Sequence, residues 1–289
     1  MKEPRAGARP TVGSGSDDGE ARLWHWEGEP LRVWQSLWDV PELEVWRRLG
    51  STNDRARERA RTSCEPYTVV IAEEQTAGRG REGRAWSSPA GAGLWMSVVL
   101  RPGVSGARRL APILVGLAAC RAVESVAAGT EPCLKWPNDV LVGGRKVCGI
   151  LCEAAGDTVV AGIGVNVRQR RGDFPPDVRD SATSLERETG ERISRGKLAG
   201  ALLSGLRAVA DDGGPPDLVG ELAEELRRRD ALRDRRVRLR DGSVVTARGI
   251  GRDGGLVVES EGGSRRTIVA GTVRPVGRAG HGGRARGTA

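Results

Sequence analysis

The sequence predicts an α+β fold followed by a small all-β module, and three observations carry that reading. Between residues 43 and 232, short β-branched runs alternate with longer apolar stretches of helical character. Over 236–276 the helical pattern stops. Strand-like runs there are separated by Asp241-Gly242 and Asp253-Gly254-Gly255 turns, the mark of a small antiparallel barrel. A chain of 289 residues is long enough for one large domain and a small one. The expected division is an N-terminal arm over 1–42, a main domain over 43–232, the barrel over 233–276 and a flexible tail over 277–289.

The elements follow in order. Residues 1–22 are rich in Gly, Pro, Ser and charge, which predicts disorder. Residues 23–46 hold most of the eight tryptophans in short segments broken by polar residues, expected to pack onto the main domain. Ser51-Thr52-Asn53-Asp54 opens a helix to about Arg61, with Ser51 or Thr52 as N-cap. Residues 67–72 read as a buried strand, 73–91 as a loop, 93–100 as a strand and 110–128 as an apolar helix. Residues 133–136 are strand-like, and Pro137-Asn138-Asp139 signals a turn. The runs 140–142 and 146–152, joined at Gly143-Gly144, predict a hairpin. A strand over 158–167, a polar proline-containing loop over 168–183 and helices near 194–210 and 216–229 complete the main domain.

Composition excludes several functions. Hydrophobic content of 38% suits a soluble globular chain, and no run approaches the ~18 apolar residues of a membrane span. The polar N-terminus has no signal-peptide core, so cytoplasmic residence without a membrane partner is expected. Cys64, Cys120, Cys133, Cys148 and Cys152 match no zinc spacing and read as buried thiols. His25 and His281 lie in peripheral-looking segments, which argues against histidine general-base or His-ligated metal chemistry. The net charge is +8, and eight arginines fall within 227–240. A solvated helix end running into an exposed strand is the plainer reading of that run than nucleic-acid binding, because no aromatic residue interleaves with it.

Basic residues total 46, yet only Lys2, Lys135, Lys146 and Lys197 are lysine. In a chain that writes arginine for general positive charge, Lys135 before Trp136-Pro137-Asn138-Asp139 suggests a compact ammonium that meets a phosphate or carboxylate oxygen. Lys146, beside Gly143-Gly144, is expected at the edge of a site or in solvent. Gly78-Arg79-Gly80-Arg81-Glu82-Gly83-Arg84 is the kind of loop that wraps an anion, its glycines admitting close backbone approach. It is neither a P-loop nor a dinucleotide fingerprint. Asn138 and Asp139 suit a turn; Asp139 also suits a cation that neutralises phosphate charge. Together these features point to an enzyme that handles an acyl carboxylate and a nucleotide.

Five motifs in order resemble the biotin–protein ligases over roughly residues 43 to 275. They are Ser51-Thr52-Asn53; Glu74-Gln75-Thr76-Ala77-Gly78-Arg79-Gly80-Arg81-x-Gly83-Arg84-x-Trp86; Lys135-Trp136-Pro137-Asn138-Asp139; Lys146-x-x-Gly149-Ile150-Leu151; and Gly162-Ile163-Gly164-Val165-Asn166. The resemblance implies a mixed β-sheet flanked by helices, related to class II aminoacyl-tRNA synthetases, with a Src-homology-3-like barrel behind it. It implies an ATP-dependent ligase. Biotin and ATP, with Mg2+ as activator and no bound metal cofactor, give biotinyl-5′-AMP and pyrophosphate. A lysine of a biotin carboxyl carrier domain then attacks the mixed anhydride.

Carried over by resemblance, Ser51, Thr52 and Gln75 hold the ureido head of biotin, which needs both donors and acceptors, and Asn53 also binds biotin. Arg79, Gly80 and Arg81 form the loop over the adenylate, and Arg84 joins them toward the nucleotide. Trp86 packs near the adenine. Lys135 and Arg81 are the catalytic pair, with Lys135 bridging the biotin carboxylate and α-phosphate and stabilising the pentavalent centre. Gly149 and Gly164 leave room for the valeryl tail. Asn138 and Asn166 face the nucleotide, Arg274 reaches it from the barrel, and Asp139 is the metal contact. Glu82 departs from the family, which often has an arginine or a neutral residue there. The leader before residue 43 is too short for a DNA-binding domain, so no specific nucleic-acid partner or repressor role is expected. A monomer or weak homodimer is implied. The nearest rival, a lipoate or octanoate ligase or transferase, has an Arg-Arg-x-Ser-Gly-Gly-Gly-like loop with a nearby His, and residues 78–86 have neither. A nucleic-acid-binding protein would leave the lysine motif and the Gly-Arg loop unexplained.

Overall fold

The structure is a computed structural model that describes residues 21–62, 64–101, 105–210 and 217–276. The expected disorder of the first 20 residues, the loose tail and the placing of His281 lie outside the described residues.

The chain enters through a two-stranded ribbon, β1 (His25–Trp26) and β2 (Glu29–Pro30), and helix α1 (Leu31–Leu37). Strand β3 (Leu43–Leu49), helix α2 (Thr52–Arg61), β4 (Val69–Gln75), β5 (Gly93–Leu100) and helix α3 (Ser105–Val126) follow. Next come β6 (Cys133–Lys135), β7 (Asp139–Val142), β8 (Arg145–Ala155) and β9 (Thr158–Asn166). The central sheet has seven strands in the order β3-β4-β5-β9-β8-β7-β6. Only β3 and β4 pair in parallel, and α2 is their crossover. Helices α4 (Leu185–Thr189), α5 (Arg195–Ala210) and α6 (Gly220–Arg229) precede a second sheet. That sheet is antiparallel, with β10 (Arg236–Arg238), β11 (Val244–Ile250), β12 (Leu256–Glu259), β13 (Arg265–Ile268) and β14 (Arg274–Pro275) in the order β13-β12-β11-β10-β14. Its edges are β13 and β14, so the expected barrel is an antiparallel sheet whose described edge strands do not pair with each other.

Strand alternation explains why β5 reads as an unbroken apolar run. Leu94, Met96 and Val98 face the large core under α3 and α5, whereas Val99 faces a smaller core with Ala56 of α2. With helices on both faces, every residue of β5 is buried. The tryptophan-rich arm packs onto the same large core. Trp34 and Trp38 stack at 5.3 Å and lie against Gly196 and Gly200 of α5. Those glycines are four apart on one helix face, so they form a slot for two indoles. Buried Arg195 then holds Glu27 of the arm at 2.7 Å and Glu73 of β4 at 2.9 Å. Burial works to raise the Glu27 carboxyl, but the Arg195 and Arg168 guanidinium groups outweigh it and hold the group below the usual carboxylate range.

The basic run 227–240 is partly paired within the fold, with Arg229 its most buried member. Arg227 pairs with Glu224, Arg229 with Glu124 and Glu225, and Arg236 with Glu261. All five cysteines are free thiols, and burial pushes Cys148 and Cys152 up to about 12. Among the described residues no helix is long and apolar enough to cross a membrane.

Asp230 is an exception to good pairing. It bridges the edge of β6 and the second sheet; its Oδ1 accepts the Leu232 N–H at 2.9 Å, while Oδ2 is buried without a well-formed hydrogen bond. Burial outweighs Arg233 and nearby amides and raises its carboxyl above the ordinary value. A raised folded-state value means that the native state binds the proton more tightly, so stability falls as pH rises through that window. Asp230→Asn is therefore expected to raise Tm at neutral pH by roughly 2–4 °C, the shift that about 1 kcal/mol gives in a domain of this order of size. The gain should vanish below the ordinary aspartate range, where both states are protonated. Melting curves across pH check this, and a lower Tm for the variant at neutral pH would refute it.

Candidate functional site

Strand ends and loops on one side of the central sheet enclose a cleft of about 790 Å³. Of the residues the sequence singles out for the site, all but Arg274 line this one cleft. Thr272 and Val273 line it, but Arg274 follows them onto β14, where it is exposed. The expected reach of Arg274 to a nucleotide is thus not made in this structure.

Register builds the charged floor. Lys135 on β6 lies opposite Asp139 on β7, and a bulge after Val140 shifts β8 so that Lys146 comes to the same carboxylate. Asp139 Oδ2 is 3.3 Å from Lys135 Nζ, and Oδ1 is 2.5 Å from Lys146 Nζ. Burial alone would raise the Asp139 carboxyl, but the Lys146 and Lys135 ammonium groups outweigh it and hold the group low. Both oxygens are therefore engaged by ammonium groups in this structure, so Asp139 does not stand open to a metal here. Among the described residues no group of three or more His, Cys, Asp or Glu could hold one either. Lys146 is also corrected, from the rim into the cleft, where its Nζ stands 4.9 Å from the Trp86 ring centroid. The scarcity of lysine pointed to Lys146 as strongly as to Lys135.

A polar rail forms one wall. Strand β4 runs on to Gln75, further than the predicted strand, and so delivers that side chain to the start of α2. Ser51 makes no side-chain cap. Instead Gln75 Oε1 accepts the Thr52 N–H at 2.9 Å and lies 3.1 Å from Thr52 Oγ1, capping the helix from across the sheet. Gln75 Nε2 donates to Ser88 at 2.9 Å. Fully buried Ser97 of β5 contacts Thr52 Oγ1 at 2.8 Å and Asn53 Oδ1 at 2.6 Å.

Three asparagines expected to face ligands are engaged by the protein itself. Asn53 Nδ2 donates to Leu151 O at 3.2 Å and Glu153 Oε2 at 2.7 Å, and its Oδ1 lies over Gly162, where a Cβ would come within 2.2 Å. Asn138 donates to Ile150 O at 2.7 Å. Asn166 donates to Thr183 O at 3.1 Å and accepts from Gln169 at 3.1 Å. A buried amide without partners is costly, and here backbone carbonyls satisfy the donors. These contacts tie each asparagine to the cleft walls.

The Gly-Arg loop closes the mouth. Arg79 makes a bidentate pair with Asp54 of α2 at 2.6 and 2.7 Å, and that bond holds the Asp54 carboxyl low. Arg81 is half-buried, and burial lowers its proton affinity. Gly78 must lack a side chain, because a Cβ there would meet Trp86 O at 2.6 Å. The Trp86 indole lies over Gly149 and Gly164, where added Cβ atoms would come within 2.8 and 2.7 Å of it. The room expected beside those glycines is thus filled by Trp86 in this structure. Sequence reading missed Ser88, Thr272 and the 174–182 segment, which also line the cleft. The chain's one phenylalanine, Phe174, stood out in that polar loop as a usable signal.

Comparison with known proteins fits this geometry. The Biotin/lipoate A/B protein ligase family matches residues 45–169, and the Biotin protein ligase C terminal domain matches 234–274. The bifunctional ligase/repressor BirA of Bacillus subtilis is 44% identical over 154 residues, 51% of this chain and 47% of that protein. The biotin–[acetyl-CoA-carboxylase] ligase of Mycobacterium tuberculosis is 39% identical over 172 residues, 58% of this chain and 63% of that protein. The chain thus spans about half the length of the Bacillus relatives it matches. Among solved structures, the Aquifex aeolicus biotin protein ligase in complex with biotin and ATP superposes with a TM-score of 0.66 at 27% identity, covering 82% of this chain and 100% of that one. The Leishmania major enzyme in complex with biotinyl-5-AMP gives 0.58 at 26% identity, covering 80% and 99%.

Proposed function

The chain belongs to the biotin protein ligase family, and from that premise we propose that it activates biotin with ATP as biotinyl-5′-adenylate and transfers the acyl group to a lysine of a biotin carboxyl carrier domain. The division follows the same reading: a catalytic domain over 43–232 and a C-terminal module over 233–276, acting in the cytoplasm, in keeping with the free thiols.

The observation that carries the proposal is the pair of ammonium groups sharing one half-buried carboxylate inside the cleft. Adenylation brings the biotin carboxylate against the α-phosphate. An oxygen of the acid attacks phosphorus, and the bond to pyrophosphate breaks. Two anions must approach, and charge grows on the phosphoryl oxygens. Lys135 and Lys146 offset that charge from positions already set by Asp139, so little reorganisation is needed. Thr52, Gln75 and Ser88 line the cleft as a mutually hydrogen-bonded rail of hydroxyl and amide groups, which exchange these bonds for those of a urea. Trp86 yields its place over Gly149 and Gly164 to the acyl chain and serves as an aromatic wall for the base. In the second step the carrier amine attacks the acyl carbonyl and AMP leaves. Magnesium accompanies ATP as activator, and no step is assigned to Asp139 as its ligand.

Biotin-dependent ATP–pyrophosphate exchange tests the reading. Exchange is expected with biotin and at most background with lipoate or octanoate. Exchange driven equally by lipoate would move the chain to the rival specificity, and none with any acid would reject the activity.

A further inference from the structure

We propose that the C-terminal sheet supplies a latch for the Gly-Arg loop: Thr272 and Glu82 are positioning residues that keep Arg81 over the cleft and so set how long the activated acyl group is retained. The inference rests on the adenylate-forming function proposed above and adds to it two residues that the motifs did not assign.

The latch is built on a single hydroxyl. Thr272 Oγ1, in the turn between β13 and β14, donates to Glu82 Oε1 at 3.2 Å and accepts from Arg84 Nη2 at 3.4 Å. A hydroxyl can do both at once, and an apolar side chain of the same shape can do neither. Glu82 occupies the left-handed region, φ 57 and ψ 29, inside the short turn Arg81–Gly83. A residue other than glycine holds that conformation when its surroundings compensate. The effect is to separate neighbours. Glu82 is exposed and tied to Thr272, while Arg81 beside it is half-buried and lines the cleft. At the other end of the loop, the Arg79–Asp54 pair fastens it to α2.

A latch needs a firm post, and the second sheet provides one. Buried Trp136, next to Lys135, donates from Nε1 to Gly254 O at 3.0 Å, and Leu110 of α3 packs against Gly254. The same small sheet therefore touches the strand that carries Lys135 and the loop that carries Arg81. Glu82 is thus met by a residue 190 positions away in the sequence.

The experiment is the dissociation rate of biotinyl-5′-adenylate itself, measured by stopped-flow for the full chain. Thr272→Val and Glu82→Ala are each expected to release it about three- to tenfold faster, the range for loss of one or two hydrogen bonds. Thr272→Ser should restore near-normal release. The double variant Glu82→Ala/Thr272→Val should be no faster than the faster single variant, because one contact is lost only once. Melting temperatures within the spread of the parent exclude a general loosening. Unchanged release in both single variants, or fully additive effects in the double, would overturn the latch. If the unaltered protein fails to bind biotinyl-5′-adenylate, the functional reading fails rather than the latch.

Discussion

Lys135→Ala is expected to leave the fold nearly intact and to lower biotin-dependent pyrophosphate exchange by about a hundredfold or more, the usual scale for losing an electrostatic stabiliser of a transition state. The fold should survive because Asp139 is not orphaned: Lys146 stays on its other oxygen. Truncating the sole partner of a buried charge is what destabilises strongly, and that does not happen here. Activity should fall because one of the two cations facing the reacting anions is gone. Lys135→Arg should fail as well, since a planar fork needs more room than a point charge and presents its donors in a fixed geometry. Exchange kinetics and melting curves for both variants check the pair of claims. Near-normal exchange by the arginine variant would sink the assignment.

Arg81→Gly should uncouple the two half-reactions. Arg79 pairs with Asp54. Among the described residues neither Arg84 nor Arg81 forms an ion pair within 4 Å, but Arg84 is exposed with long hydrogen bonds to Thr272 and Arg81 O, whereas Arg81 is half-buried in the cleft lining. A half-buried guanidinium without a carboxylate partner is poised for a ligand anion. Without it, the adenylate should still form on the Lys135–Lys146 floor and then escape sooner. The readout is labelling of an unrelated lysine-rich protein mixed with the enzyme, biotin and ATP. A rise of about tenfold or more in bystander labelling is expected, in line with losing a charge-assisted contact. Labelling confined to the carrier domain would refute the lid role.

Much of this architecture was legible in the chain. Strand β5 and the hairpin around Gly143-Gly144 follow from apolar runs and from a turn in which both glycines have positive φ, 57° and 75°. The cleft was legible too, because motif residues far apart in sequence converge on it. Element ends were less so. Strand β4 continues to Gln75, where the polar Glu73-Glu74 pair reads as loop, because Glu73 is neutralised by Arg195 from α5. The purpose of the tryptophans was invisible without Gly196 and Gly200, the slot that receives them.

By itself the sequence determined the order of elements, the α+β class, and which residue types reach the cleft, since periodicity and local chemistry are properties of neighbours along the chain. Only the tertiary structure decided which of those groups are free. Asn53, Asn138 and Asn166 have the chemistry to bind a ligand, and Asp139 has the chemistry to bind a metal. In the structure each also meets a partner that packing and strand register bring within 3.3 Å, as Glu153 is brought to Asn53 across 100 positions of sequence. A side chain's capacity to donate or accept is written in its identity. Whether that capacity is already used depends on who lies opposite, and that is set by register and packing between segments distant in the chain.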